Sequence, residues 1–283
     1  MGVIALKIYI SVDMEGLAGI HRWKDVSENE KFYKMALLEE QLKWLLEGII
    51  ESGMDVEKVT VVDSHALGSN IPYRITSIDE RIELVSGSPR KKYMMANLDE
   101  TYDRVIFFGY HAGVGNMGGI MDHTYSSSLI YNITINGRKM CEALINAGYA
   151  GYLNVPICMI VGDEALLNEV KEELKGAVMI ATKKGIGRYS AVMKSSKVLE
   201  KEIKEGVKKA LEIPRESLPL YRFEPPIELI IEFLNTAFAD AVEILPFVDR
   251  VDGRTVRFVH EDFSVVFDMI LSIVHMAYIA RYT

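Results

Sequence analysis

Cysteine is nearly missing from this chain: Cys141 and Cys158 are the only two in 283 residues, and they have no CxxC spacing. That argues against a disulfide framework and a thiolate metal cluster, and makes a reducing, cytoplasmic setting the expectation. Basic runs long enough to follow a phosphate backbone are also missing, and the net charge is −8. Nucleic acid is therefore not an expected partner. Glutamine occurs once, as Gln41, and neither a low-complexity tract nor a repeat is present. The most apolar stretch, residues 263–280, is marginal in length for a membrane span and carries Asp268 and His275. It reads as a buried terminal helix, with no membrane partner. The apolar start of the chain has no basic flank before it and no small-residue cleavage site after it, so it reads as a first strand and not a signal peptide.

Hydrophobic residues make up 49% of the chain and charged ones 25%, enough apolar material for a substantial core. Short β-branched runs alternate with longer segments of helical period. Strands are expected at 7–13, 56–62, 81–85, 104–109, 156–161 and 227–233. Helices are expected at 29–51, 141–153, 164–175, 195–211 and 237–245. In the first helix Phe32, Met35, Leu38, Leu42, Leu45 and Ile49 recur at steps of three and four. Residues 125–134 are rich in β-formers, and Asn136-Gly137 is a hairpin signal. Two short strands split by Asp252-Gly253 precede a closing helix from about residue 261. This alternation predicts an α/β fold, a mainly parallel sheet flanked by helices, with a smaller C-terminal α+β portion. The proline-containing stretch 213–226 is the expected boundary, giving a catalytic part at 1–212 and a smaller domain or extension at 213–283.

Three strands run directly into metal-ligand chemistry. The first leads into Ser11-Val12-Asp13-Met14-Glu15-Gly16, the second ends in Asp63-Ser64-His65, and the third in Gly109-Tyr110-His111. The carboxyl ends of parallel strands share one edge of the sheet, where ligands bind. Residues two apart on an extended chain face the same way, so Asp13 and Glu15 can converge. Asp13, Glu15, His65 and His111 are thus expected in one crevice. Imidazole with carboxylate suits zinc, and also manganese, cobalt or iron. A carboxylate-rich set can bridge two ions about 3.5–4 Å apart.

These motifs, with Met121-x-His123, Asn136-Gly137, Glu142, Asn146-Ala147, Gly151-Tyr152, Val155-Pro156 and Val161-Gly162-Asp163, resemble in order and spacing the bacterial dipeptide-operon D-aminopeptidase family. The last third is similar only weakly, around Arg188, Ser190 and Glu232-Phe233. The resemblance implies a two-zinc aminopeptidase acting on short peptides, with D-residues as candidate substrates. Its ligands would be Asp13, as the bridge, with Glu15, His65, His111 and Glu142. It implies His123 as the catalytic histidine, either stabilising charge on the carbonyl oxygen or shuttling a proton to the leaving amine. It also implies a homo-oligomer, a decamer of two stacked pentameric rings around a chamber. One departure stands out: Asp122 precedes His123 where the family more often has Ser, and this carboxylate is expected to orient His123 or raise its pKa.

Two other readings stay open, a related metal-dependent amide or ester hydrolase and a metal- or peptide-binding protein without turnover. Residues 113–118 spell G-x-G-x-x-G, but Gly-Ile-Met-Asp-His-Thr follows in place of a helix, so a loop is expected there and not a dinucleotide site. Asp63-Ser64-His65 has the letters of a triad, yet neighbours on a strand point to opposite faces. His275 is expected in a core or an interface, and His21 and His260 show no partners in the sequence.

Overall fold

The structure, a computed structural model, describes residues 5–27 and 31–282. The described residues form two sheets and six α-helices. The larger sheet orders β3 (Ile82–Val85), β2 (Val56–Asp63), β1 (Leu6–Val12), β4 (Arg104–Tyr110), β7 (Ile157–Asp163), β8 (Val178–Gly187) and β9 (Ser190–Met193). Six strands run parallel, and β9 returns antiparallel to β8. The central strands are buried on both faces, which is why they read as nearly continuous apolar runs.

Alternation along each strand divides the core in two. Ile8, Ile10, Ile106, Phe108, Met159 and Val161 face a layer containing α1 (Lys31–Ile50) and α4 (Ser196–Glu212). Tyr9, Val105, Phe107 and Ile160 face the opposite layer, with α2 (Glu142–Tyr152), α3 (Glu164–Val170) and the second sheet. That sheet is antiparallel, ordered β11 (Asp249–Arg250), β12 (Thr255–His260), β10 (Ile227–Phe233), β5 (Ile130–Ile135) and β6 (Arg138–Lys139). Helices α5 (Thr236–Val242) and α6 (Phe263–Ile279) pack beside it, and α6 also touches α2. The second sheet is built from both sides of residue 213: β10 hydrogen-bonds β12 on one edge and β5 on the other.

Several boundaries differ from expectation. In α1, Leu38, Leu42, Leu45 and Ile49 are buried as the spacing requires, but Met35 is half-buried and Phe32 is exposed. The expected helix start at Asn29 lies outside the described residues. Strand β5 begins at Ile130, not Tyr125, because residues 124–129 form a turn in which the Tyr125 N–H donates to Glu142 Oε1 at 2.6 Å. Helix α3 ends at Val170, since residues 171–176 bury only Leu174 and offer no apolar stripe to hold another helical turn. Strands β8 and β9 fill a stretch where no element is expected. Among the described residues no helix is long and apolar enough to cross a membrane.

Candidate metal centre

The expected strand ends meet at one edge of the large sheet. Asp13 leaves β1, His65 follows β2, His111 follows β4, and Glu142 opens α2. Asp13 and Glu15 converge, though not by extended chain: the backbone turns after Asp13, with the Leu17 N–H donating to Met14 O at 3.0 Å. Two glycines permit that turn to lie against β4. A Cβ on Gly16 would sit 1.8 Å from Tyr110 O, and one on Gly109, whose φ is +75°, would sit 2.1 Å from Asp13 O.

Two clusters of ligand atoms form there, Asp13 with Glu15 and His65, and His111 with His123 and Glu142. Asp13 reaches both. Its Oδ1 accepts from His65 Nδ1 at 3.1 Å, and its Oδ2 lies 3.5 Å from His111 Nε2. His65 Nδ1 is also 3.0 Å from Glu15 Oε2. His111 Nε2 and His123 Nε2 lie 3.7 and 3.8 Å from Glu142 Oε1. The two imidazoles stack in parallel, 4.2 Å between centroids and 3° apart. Each is fixed from behind: the Nδ1–H of His111 donates to Ala112 O and that of His123 to Met121 O, both at 2.9 Å. A carbonyl can only accept, so Nδ1 carries the proton and Nε2 turns its lone pair inward.

Burial here sets the proton equilibria at odds with the arrangement. Burial, then neighbouring Glu15, raises Asp13 above its ordinary pKa, and burial pushes Glu142 up to about 7 against the pull of His111. Burial opposes charge on His65 and His111, but the carboxylates outweigh it: Glu15 and Asp13 hold His65 well above its ordinary value, and Glu142, Asp13 and Glu15 bring His111 to about 9. For Glu15, burial is outweighed by His65, which holds its carboxyl well below the usual range. Burial and then His111 take His123 down to about 3. Asp13 Oδ2, Glu15 Oε2 and His111 Nε2 are buried, with no hydrogen-bond partner among the described residues. Unsatisfied buried acceptors are costly. Two carboxylate oxygens and one imidazole nitrogen without hydrogen-bond partners, set among further carboxylate and imidazole groups, are a donor set that divalent cations fit.

Beneath the centre lies a polar network to which sequence reasoning assigned no role. Ser11 Oγ contacts Ser64 Oγ at 2.7 Å and Tyr110 OH at 2.6 Å, and Ser11 and Ser64 both donate to Met94 O. Asn146 Nδ2 donates to Tyr110 OH at 2.9 Å. Each candidate ligand thus has a neighbour of its own segment in the network: Ser11 before Asp13, Ser64 before His65, Tyr110 before His111, Asn146 one helical turn after Glu142. Lys183 of β8 is a second omission. It is buried, and its ammonium donates to the carbonyls of Glu15, Leu17 and Ile20, the middle bond at 2.8 Å.

The remaining motifs are placed as follows. Asp63 accepts from the backbone of Asn70 and Ile71, so it secures the loop after His65 and forms no triad. Residues 113–118 are a loop. The expectation for Asp122 is corrected: its carboxylate meets Arg188 Nε at 3.0 Å and the Gly115 N–H at 2.6 Å, so it secures the loop and not the His123 ring. Trp23, also unanticipated, packs edge-on against His123 at 5.1 Å and 79°. His275 is exposed and lines the cavity over the centre, so it is not a core residue. His21 faces Asp25 at 3.3 Å, and His260 accepts from the Asp262 N–H.

Known proteins share this arrangement of chain. D-aminopeptidase of Bacillus subtilis (strain 168) is 28% identical over 278 residues, spanning 96% of this chain and 98% of that protein. The solved structure of the Zn-dependent D-aminopeptidase DppA from Bacillus subtilis, a self-compartmentalizing protease, is similar with a TM-score of 0.89 at 26% identity, covering 96% of this chain and 98% of that one. The family model described as D-aminopeptidase matches residues 6–272. The chain belongs to the D-aminopeptidase family.

Proposed function

We propose that this protein is a zinc-dependent aminopeptidase that removes an N-terminal residue, of D configuration, from short peptides. The observation that carries the reading is Asp13 reaching into both ligand clusters while buried donor atoms around it lack partners. Asp13, Glu15 and His65 would hold one ion, and Asp13, His111 and Glu142 a second. Three carboxylates nearly offset the charge of two divalent ions. When bound, such ions supply Lewis acidity toward a peptide carbonyl and lower the pKa of water toward about 7.

His123 works from the neutral state. Its Nδ1–H is committed to Met121 O, and burial beside His111 opposes protonation of Nε2. The Nε2 lone pair faces the site and would relay a proton between water and the leaving amine, holding it only in passing. A group that starts without a proton on Nε2 cannot donate to an oxyanion, so the proton-shuttle role is favoured over carbonyl stabilisation. Trp23 packs edge-on against the ring and restricts its orientation. A carboxylate of the centre is the available anchor for the substrate's α-ammonium.

Hydrolysis of matched D- and L-aminoacyl dipeptides, before and after chelation and again with zinc restored, tests the assignment. Turnover of the D-peptide that vanishes with the metal and returns with zinc is the expected result. A folded, zinc-loaded protein that cleaves neither peptide would sink it.

A further inference from the structure

We propose that Arg281 receives the C-terminal carboxylate of the peptide, so that the cavity selects short peptides with a free carboxyl end; this deepens the aminopeptidase reading and rests on it. The centre opens into a cavity of about 540 Å³, within the usual range for small-molecule sites and too small for a folded chain. One wall is α6 with the turn that follows it. Leu271, Val274, His275, Tyr278 and Arg281 line the cavity at steps of three, one, three and three, a single helical face running about 15 Å.

Charge along the cavity is polarised. Asp13, Glu15 and Glu142 are buried, whereas Arg281 and His275 are exposed. Arg281 is the only guanidinium or ammonium group among the described residues lining the cavity, and no carboxylate among the described residues pairs with it. Its guanidinium carbon lies 5.7 Å from the centroid of the Tyr278 ring. A guanidinium carries a planar fork of N–H donors, a geometry matched to a carboxylate. A short peptide carries an ammonium at one end and a carboxylate at the other. The cavity lining offers buried carboxylates and an exposed guanidinium, so both ends of such a substrate meet opposite charge.

The test compares a D-alanyl dipeptide with its C-terminal amide, on the zinc-loaded enzyme and on Arg281→Ala and Arg281→Glu. The wild type is expected to favour the free acid by about tenfold in kcat/KM, carried mainly by KM. That preference should fall to near one in Arg281→Ala and reverse in Arg281→Glu. Equal kcat/KM for acid and amide in the wild type, or a preference that survives both substitutions, would overturn the anchor while leaving the aminopeptidase intact. Cleavage of neither compound by the wild type would overturn the aminopeptidase reading and the anchor with it.

Discussion

His123 and His111 stand 4.2 Å apart with parallel rings, yet they are prepared for different work. His111 faces Asp13 and Glu142 through Nε2, while His123 meets only Glu142, and at a longer distance. If His123 shuttles protons and does not hold metal, His123→Ala should keep its zinc content and lose about 10²–10⁴-fold in kcat. Zinc analysis beside steady-state kinetics separates the roles, since a ligand would lose both. The acid–base balance of the centre gives a second prediction. Zinc takes only neutral imidazole, and the metal-free His111, where carboxylates outweigh burial, has a pKa near 9. If His111 holds zinc, a proton occupies the nitrogen the metal needs below that value, and above it the nitrogen is open. Apparent zinc affinity should therefore rise from about pH 6 to about pH 9, with protons released on binding. Calorimetry in buffers of different ionisation enthalpy would show this, and a pH-independent affinity would contradict it. Asp13, His65 and His111 were legible because each follows closely on a strand whose apolar run is plain, and Glu15 because it lies two residues beyond Asp13. Glu142 was legible only by resemblance, since a carboxylate opening a helix looks like any other. Trp23 and Arg281 lie outside the motifs, and no spacing in the sequence marks them as lining the cavity.

At the scale of elements, the loop after β1 is held by a strand that the sequence concealed. Residues 178–187 contain Lys183, Lys184, Gly185 and Gly187, which break up the apolar run by which other parallel strands are recognised. The lysine that obscures β8 is also what it contributes, because the Lys183 ammonium caps the carbonyls of Glu15, Leu17 and Ile20. Burial draws its pKa down to about 8, which still leaves the ammonium dominant at neutral pH. Lys183→Met would fill the space but leave three buried carbonyls without a donor, costing about 3 kcal/mol or more. The melting temperature should fall by roughly 10 °C, and zinc should bind less tightly because Glu15 loses its support. Unchanged melting and unchanged zinc affinity together would show that the loop is held by other means. The parallel core, by contrast, was readable because burial on both faces leaves its strands uniformly apolar.

At the scale of the molecule, the relative described as self-compartmentalizing directs attention to the surface. Ile244, Phe247 and Val251, in and beside the connection from α5 to β11, are large apolar side chains exposed on the single chain, Phe247 at 87%. Exposed apolar groups clustered in one segment mark an interaction surface. Light scattering is expected to give a particle several times the mass of the 31.9 kDa chain, and Phe247→Glu should reduce it. A wild-type particle of single-chain mass would dismiss the assembly. The composite second sheet bears on when the enzyme can first act. Strands β5 and β6 leave the ribosome well before β10, which pairs with β5, and before α6, a wall of the cavity. At synthesis rates of about 5–20 residues per second, the interval between Glu142 and the end of α6 is on the order of ten seconds. During that interval the nascent chain holds its candidate metal ligands without a finished cavity around them, so peptide cleavage must await synthesis of α6.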